Sequence, residues 1–360
     1  MLLKSRPAHS LVGALFKAQR NVRLLSASTK PRVLLLDPIN LAHEELESLK
    51  SEASLIPLTS TDRASFINDL KSDYKDITAI YRHFKGTGSI NITGRFDEEL
   101  ISQLPSSLRF ISHNGAGYDQ ITVEPCTARN IQVSNVPSVV DDPTADTALF
   151  LMLGSLRQFN VALAQAQAGS FHRGLPLSSD PQGKLLGILG MGGIGRALAK
   201  RARALGMTVQ YHNRNQLSED LEQGAKYVTR DELLSTSDVV SLNLPLNAAT
   251  KHTISTPEFK SMKPSAVLIN TARGPVVDEK ALITALESGE IAGAGLDVYE
   301  NEPQIPAELL RHPRAICLPH IGTLSYETQK EMEAFCLRNI RTGLSTGKLS
   351  TFVPEQKGRW

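Results

Sequence analysis

The sequence predicts an α/β fold in which parallel sheets are covered on both faces by helices, spread over two domains. Three observations predict it. The chain has 360 residues, about twice a typical domain of roughly 100–150 residues. Short runs of strand length recur along it and are often continuously apolar, as strands buried on both faces are. Most of these runs are separated by roughly 15–40 residues, room for the crossover helix that parallel neighbours require.

Composition narrows the partners. Hydrophobic residues make up 41% and charged residues 21%, ordinary for a soluble globular chain. The net charge of +2 hides an asymmetry, because residues 1–36 hold seven Lys or Arg and no acid. Without residues 1–28 the chain carries 34 basic against 37 acidic side chains, a net −3. That mildly acidic body argues against nucleic acid as a partner. Cys126, Cys317 and Cys336 lack close spacing and leave one thiol unpaired under any scheme. They read as reduced thiols, neither a disulfide frame nor a metal site. No apolar run approaches the roughly 18 residues that cross a bilayer, so no membrane partner is expected.

In chain order, the predicted strands lie at residues 32–37, 77–81, 108–112, 185–190, 208–211, 238–243, 265–270 and 292–298, with a further one around 315–318. Between the third and fourth, Asp142-Pro143-Thr144 reads as a helix start, with Pro at N1 after an Asp cap. Residues 144–156 continue it as an apolar stretch. This region marks a domain boundary, and a second breakpoint falls at 319–323. Residues 326–340 have helical character and are placed to cross back. The expected division is a discontinuous first domain, 32–135 plus 323–355, around a second domain at 136–322.

The fourth strand leads into Gly190-Met191-Gly192-Gly193-Ile194-Gly195, followed by a helical run at 196–205. A G-x-G-x-x-G alone is weak, but the strand before and helix after supply the context that a dinucleotide site requires. Gly190 permits the tight turn, Gly192 lets backbone approach a pyrophosphate, and Gly195 lets helix pack on strand. The helix N-terminus then offers free N–H groups and a favourable dipole. The plainer reading is a tight turn without a ligand. The next strand ends in His212-Asn213-Arg214 instead of the acid that binds NAD ribose hydroxyls. Asn213 is neutral and Arg214 offers a fork of donors, a pattern that favours a 2′-phosphate and hence NADP over NAD. An arginine that serves only solubility is the alternative.

Three further strand ends carry chemistry. Arg273 lies in Asn270-Thr271-Ala272-Arg273-Gly274, Glu300 and Glu302 follow the strand near Asp297, and His320 stands in Pro319-His320-Ile321-Gly322. Ligands bind at the carboxyl ends of strands in open α/β sheets. Singly, each has a dull explanation: a surface Arg, an acid at a helix start, a capped His. Together they point to a site.

These segments, with His113-Asn114-Gly115-Ala116-Gly117-Tyr118-Asp119, resemble the D-isomer-specific 2-hydroxyacid dehydrogenase family over nearly the whole chain after residue 30. The sequence is most similar to its glyoxylate/hydroxypyruvate reductases. The resemblance implies two Rossmann-like, doubly wound domains with the active site in the cleft between them, and Arg273, Glu302 and His320 as the catalytic trio. Reduction of a 2-oxo acid needs a hydride at the carbonyl carbon and a proton at its oxygen. His320 would donate that proton, since histidine titrates near neutrality. Glu302 would stabilise its imidazolium, and Arg273 would orient carboxylate and carbonyl. Gly115, Ala116 and Gly117 would present N–H groups to the substrate carboxylate, although a glycine-rich loop is otherwise a plain turn. The resemblance further suggests Thr144, Leu244, Pro245, Thr271, Ala272, Asp297 and Gly322 as cofactor contacts. Asp146 and Phe171 depart from the Glu and Trp common in relatives.

The resemblance also implies a homodimer. Residues 144–156 are a candidate interface, and an ordinary core helix explains the same pattern. Other readings are a dinucleotide-sensing corepressor that keeps the fold and trio, or a dehydrogenase of formate or a bulkier 2-oxo acid. Residues 1–30 are basic, Ser-containing and acid-free, with Leu11, Val12, Leu15 and Phe16 on one helical stripe, the composition of a mitochondrial transit peptide. A mitochondrial address with residues up to about 25–30 removed is expected, alongside a cytosolic pool, against the alternative of a disordered basic arm.

Overall fold

Parallel pairing runs through both sheets of the computed structural model, which describes residues 30–360. The expected targeting segment lies outside the described residues. The first sheet contains β1 (Arg32–Leu35), β2 (Ser54–Pro57), β3 (Ile77–His83), β4 (Phe110–Asn114) and β5 (Gln132–Ser134) in the order β2-β1-β3-β4-β5. The second contains β6 (Leu185–Leu189), β7 (Thr208–His212), β8 (Lys226–Tyr227), β9 (Val239–Leu242), β10 (Val267–Asn270), β11 (Gly293–Leu296) and β12 (Ala315–Cys317). Their order is β12-β11-β10-β9-β6-β7-β8. Numbered from its own first strand, the second sheet has the 3-2-1-4-5-6 order of dinucleotide-binding folds with one strand added. The first has the shorter doubly wound order 2-1-3-4-5, so the two units are both doubly wound but not copies of one topology.

Continuous apolar runs make this possible. β9 and β10 are buried at every position, because helices cover both faces. On one face of the second sheet, the helix Asp141–Arg157 sets Ala148, Leu151 and Met152 against Ile188, Ile269 and Ile316. On the other, Leu233, Phe259, Leu282 and Leu286 pack against Leu242 and Leu268. Each large apolar side chain so buried contributes about 1.5–3 kcal/mol relative to exposure. The first sheet is covered by Phe66, Leu100 and Ile101 on one face. Cys336, Leu337 and Ile340 of the helix Tyr326–Thr346 cover the other.

That last helix is longer than the expected 326–340 and returns to the first sheet. The chain therefore passes between the two units twice, around residues 135–141 and again around 321–326. Val136 and Val140 pack in the first core, so the change of unit comes at Asp141, later than the expected 136. The helix also begins at Asp141, and its N-cap, Val140, makes no side-chain capping bond. The predicted Asp142 cap is thus incorrect. Pro143 falls within the first turn, where its missing N–H was an orphan anyway. Residues 144–156, the candidate interface, belong mainly to the core, although Phe150 is half exposed. Further exposed apolar side chains come just after, among them Leu163, Phe171 and Leu177.

Three strands escaped the sequence reading: β2, β5 and β8, each at a sheet edge. β5 is completed from an unexpected source. Gln356 is fully buried; its Oε1 accepts from Val133 N–H at 2.7 Å, and its Nε2 donates to Ile131 O at 3.0 Å and Thr127 Oγ1 at 2.8 Å. A side-chain amide thus takes the place of a neighbouring strand.

Candidate active site

The turn after β6 needs its glycines for steric reasons. Gly190 has φ +97°, and a Cβ there would stand 2.6 Å from the Asn243 carbonyl oxygen. A Cβ on Gly195 would stand 2.6 Å from Gly190 O, so the helix Gly193–Ala204 rests directly on the turn. Above Gly192 there is open space. Here Gly192, Gly193, Ile194 and Gly195, with Arg196, Asn243, Asp141 and Ala116, line a cavity of about 240 Å³. First-turn N–H groups of a helix have no partner within it, which suits an anionic diphosphate. Two buried polar atoms at neighbouring strand ends, Asn243 Oδ1 and Thr271 Oγ1, have no hydrogen-bond partner among the described residues. Orphans of this kind fit a ligand that supplies the missing partner. The residues present therefore fit a nicotinamide dinucleotide.

At the end of β7, Asn213 braces the turn: its Oδ1 accepts from Met191 N–H at 2.7 Å. Its amide nitrogen and one remaining Oδ1 lone pair are left for a ribose. Arg214 is exposed and forms no ion pair among the described residues. Leu244 and Pro245 follow Asn243 beside Gly190. Thr144 lies against Gly322, which in turn borders Asp297.

The catalytic candidates converge from separate strand ends. Asn270 holds the loop after β10, donating to Arg273 O and accepting from Ala272 N–H, both at 3.0 Å. Arg273 then reaches the other unit, donating from Nε to Asp119 Oδ1 at 2.9 Å. Its guanidinium fills the space above Gly117 so closely that no Cβ would fit there. After β11, buried Asp297 accepts the N–H groups of Ile321 at 2.7 Å and Gly322 at 2.8 Å. Burial pushes its carboxyl up, against those bonds. Asp297 thereby fixes the loop that carries His320, whose φ of 56° lies in the left-handed region.

Glu302 Oε2 lies 2.7 Å from His320 Nδ1, and Oε1 accepts from Tyr299 N–H at 3.1 Å. Burial pushes the Glu302 carboxyl up, but the hydrogen bond and charge of His320 outweigh it and hold it below the usual glutamate value. A carboxylate only accepts, so His320 Nδ1 carries the hydrogen and Nε2 is the nitrogen left for substrate. Glu300, the neighbouring acid, is engaged elsewhere in reciprocal bonds with Glu279 at 2.7 and 2.9 Å.

The loop after β4 corrects one expectation. Gly115 is buried and its N–H donates to His113 O at 3.0 Å, which removes it from the proposed anion site. The N–H groups of Ala116 and Gly117 have no partner among the described residues. Sequence reasoning also missed Phe84 and Lys85. The Phe84 ring centroid lies 5.4 Å from that of His320, and Lys85 donates to the His320 carbonyl. They sit at the carboxyl end of β3, so the rule that found the trio was applicable there too. Asp146 pairs with Arg201 at 2.6 Å, and Phe171 is 78% exposed.

A family model described as D-isomer specific 2-hydroxyacid dehydrogenase, NAD binding domain, matches residues 149–322. The chain is 52% identical over 328 residues to 4-methyl-2-oxopentanoate reductase A of Aspergillus oryzae, covering 91% of the chain and 99% of the relative. It superposes on a glyoxylate reductase from Paecilomyes thermophila with a TM-score of 0.88 and 53% identity, covering 91% and 99%. An NADPH-dependent glyoxylate/hydroxypyruvate reductase from Sinorhizobium meliloti, solved with NADP and malonate, gives 0.79 and 33%, covering 91% and 98%. Fold, site and relatives agree, and the chain belongs to the D-isomer-specific 2-hydroxyacid dehydrogenase family of oxidoreductases.

Proposed function

We propose that the protein reduces small 2-oxo acids to D-2-hydroxy acids with a reduced nicotinamide dinucleotide. The observation that carries this is the placement of Arg273 and of the His320–Glu302 pair, whose two heavy atoms lie 2.7 Å apart, after neighbouring strands of the sheet whose glycine turn suits a diphosphate. In this reading the bound dinucleotide supplies the hydride received by the carbonyl carbon. The chain's own groups do the rest. Arg273 and the free N–H groups of Ala116 and Gly117 hold the substrate carboxylate. Asp119 keeps the guanidinium in plane for that contact. His320 gives a proton from Nε2 to the carbonyl oxygen as negative charge develops there, and Glu302 balances the imidazolium.

Several finer features belong to the same proposal. Exposed Arg214 and neutral Asn213 favour NADPH, and a charged hydrogen bond of about 1.5–3 kcal/mol is the expected margin. Leu163, Phe171 and Leu177, 59%, 78% and 99% exposed, support a homodimer that covers them. The acid-free basic composition of residues 1–30 supports a mitochondrial address. The Aspergillus relative's name speaks for a branched 2-oxo acid as well as the smallest ones.

Purified protein assayed with glyoxylate, hydroxypyruvate and 4-methyl-2-oxopentanoate, each with NADPH and NADH, tests the reaction. Turnover of none of them overturns it, and equal kcat/KM for the two cofactors overturns the NADPH preference. Sedimentation and a reporter fused to residues 1–30 test the dimer and the address.

A further inference from the structure

The turn that faces the substrate carboxylate rests on a buried charge. Arg82, near the end of β3, is 0% exposed, a situation in which arginine normally has a carboxylate partner. Arg82 forms no ion pair among the described residues. Nη1 meets His113 Nδ1 at 3.1 Å, and Nη2 donates to Gln120 Oε1 at 2.9 Å and Ser89 O at 3.4 Å. Nε has no partner. Asp37, whose charge favours the cation, is engaged with the N–H groups of His83 and Gly88 and with the Ser89 hydroxyl. Burial brings the guanidinium down to about 10, which leaves it cationic at neutral pH.

Arginine only donates, so His113 Nδ1 must accept and the ring hydrogen must sit on Nε2. Nε2 in turn donates to Gly117 O at 2.9 Å. Burial, with the charge of Arg82, holds His113 far below the ordinary imidazole value, so the ring stays neutral. Two neighbouring carbonyls are held in the same way: Gly115 O accepts from Val136 N–H at 2.9 Å, and Ala116 O from Asn135 Nδ2 at 2.7 Å. In a trans peptide the C=O and the following N–H point in opposite directions. Three carbonyls anchored on the protein side therefore turn the N–H groups of Ala116, Gly117 and Tyr118 the other way, and none of the three has a partner among the described residues.

We infer that Arg82 and His113 are positioning residues for the substrate carboxylate: His113 anchors the third carbonyl of the turn, and Arg82 fixes its tautomer while placing a guanidinium without an ion-pair partner behind the three N–H groups. This rests on the reading that the cleft binds a 2-oxo acid. Neither residue touches the reacting atoms, so the effect belongs in anion affinity.

The test is binding of oxamate, an unreactive carboxylate analogue, to protein saturated with NADPH, read by nicotinamide fluorescence, with KM and kcat measured alongside. His113→Phe is expected to raise the oxamate Kd and the 2-oxo acid KM at least about 10-fold, the scale of a lost charge-assisted contact. NADPH affinity should be unchanged and saturated kcat within about 3-fold, on the same scale. His113→Gln, which can still donate to Gly117 O, should recover much of that affinity. Arg82→Met should resemble His113→Phe, and if it does not fold the His113 pair decides alone. Wild-type oxamate affinity in folded His113→Phe overturns this inference by itself. A wild-type protein that binds NADPH but neither oxamate nor any 2-oxo acid overturns the functional reading along with it.

Discussion

His320 depends on its neighbours for position, base and backbone conformation. Asp297 captures the two N–H groups that follow it, Glu302 sets its tautomer, and Phe84 lies against its ring. His320→Gln should therefore lower kcat about 10²–10⁴-fold while leaving NADPH affinity nearly unchanged; near-normal turnover in a folded variant would remove His320 from the mechanism. Glu302 gives a prediction in pH. Its carboxyl is held below the usual value, so the stability it contributes is present above the unfolded-state pKa and lost as pH falls through the folded one. The difference in melting temperature between the wild type and Glu302→Gln should shrink as pH falls below about 4.3, the ordinary glutamate value. A difference that persists unchanged into stronger acid would contradict the pairing. The trio was legible because Arg, Glu and His are uncommon at the ends of apolar strands. Lys85 and Phe84 were not, because a lysine or phenylalanine after a strand is unremarkable until His320 is seen beside it. The withdrawal of Gly115 was equally hidden, since a hydrogen bond to His113 O leaves no mark on the sequence.

At the scale of elements, the glycine turn was read correctly because its constraint is steric and local. Gly190→Ala must place a methyl group near the Asn243 carbonyl at φ +97°. A loss of about 1–3 kcal/mol in stability is expected, with weaker cofactor binding, measured by chemical denaturation and NADPH titration; an unchanged variant would mean the turn is looser than it looks. Edge strands failed for the opposite reason. β2 has no fully buried residue and carries a proline, β8 has only two residues, and β5 mixes Gln132 and Ser134 with a single Val133. Their identity comes from the neighbour they pair with, which periodicity does not report. Gln356 is the extreme case, flanked by Glu355 and Lys357 and indistinguishable in sequence from a solvated polar residue. Gln356→Leu should strand the Val133 N–H and Ile131 carbonyl and cost about 1–3 kcal/mol without changing kcat, a separation that denaturation and steady-state assays together would reveal.

For the whole molecule, parallel architecture and two units followed from strand spacing, whereas the differing strand orders did not, because order depends on which side each crossover takes. The molecule should respond to cofactor as one body, since Ile194 of the glycine turn packs against the first core and Arg273 is paired across the cleft with Asp119. NADPH at about 100 times its Kd should stabilise the native state by about 2.7 kcal/mol in a single cooperative melt; a biphasic melt with only one phase moved by NADPH would show the units to be independent. The double passage of the chain between them has a mechanical consequence. Two tethers fix a line, and bodies joined along a line retain one easy freedom, a swing about it. Sliding and twisting would stretch one tether or the other. A swing about that line would part the Arg273–Asp119 and Lys85–His320 contacts in one stroke, with the backbone itself as its pivot.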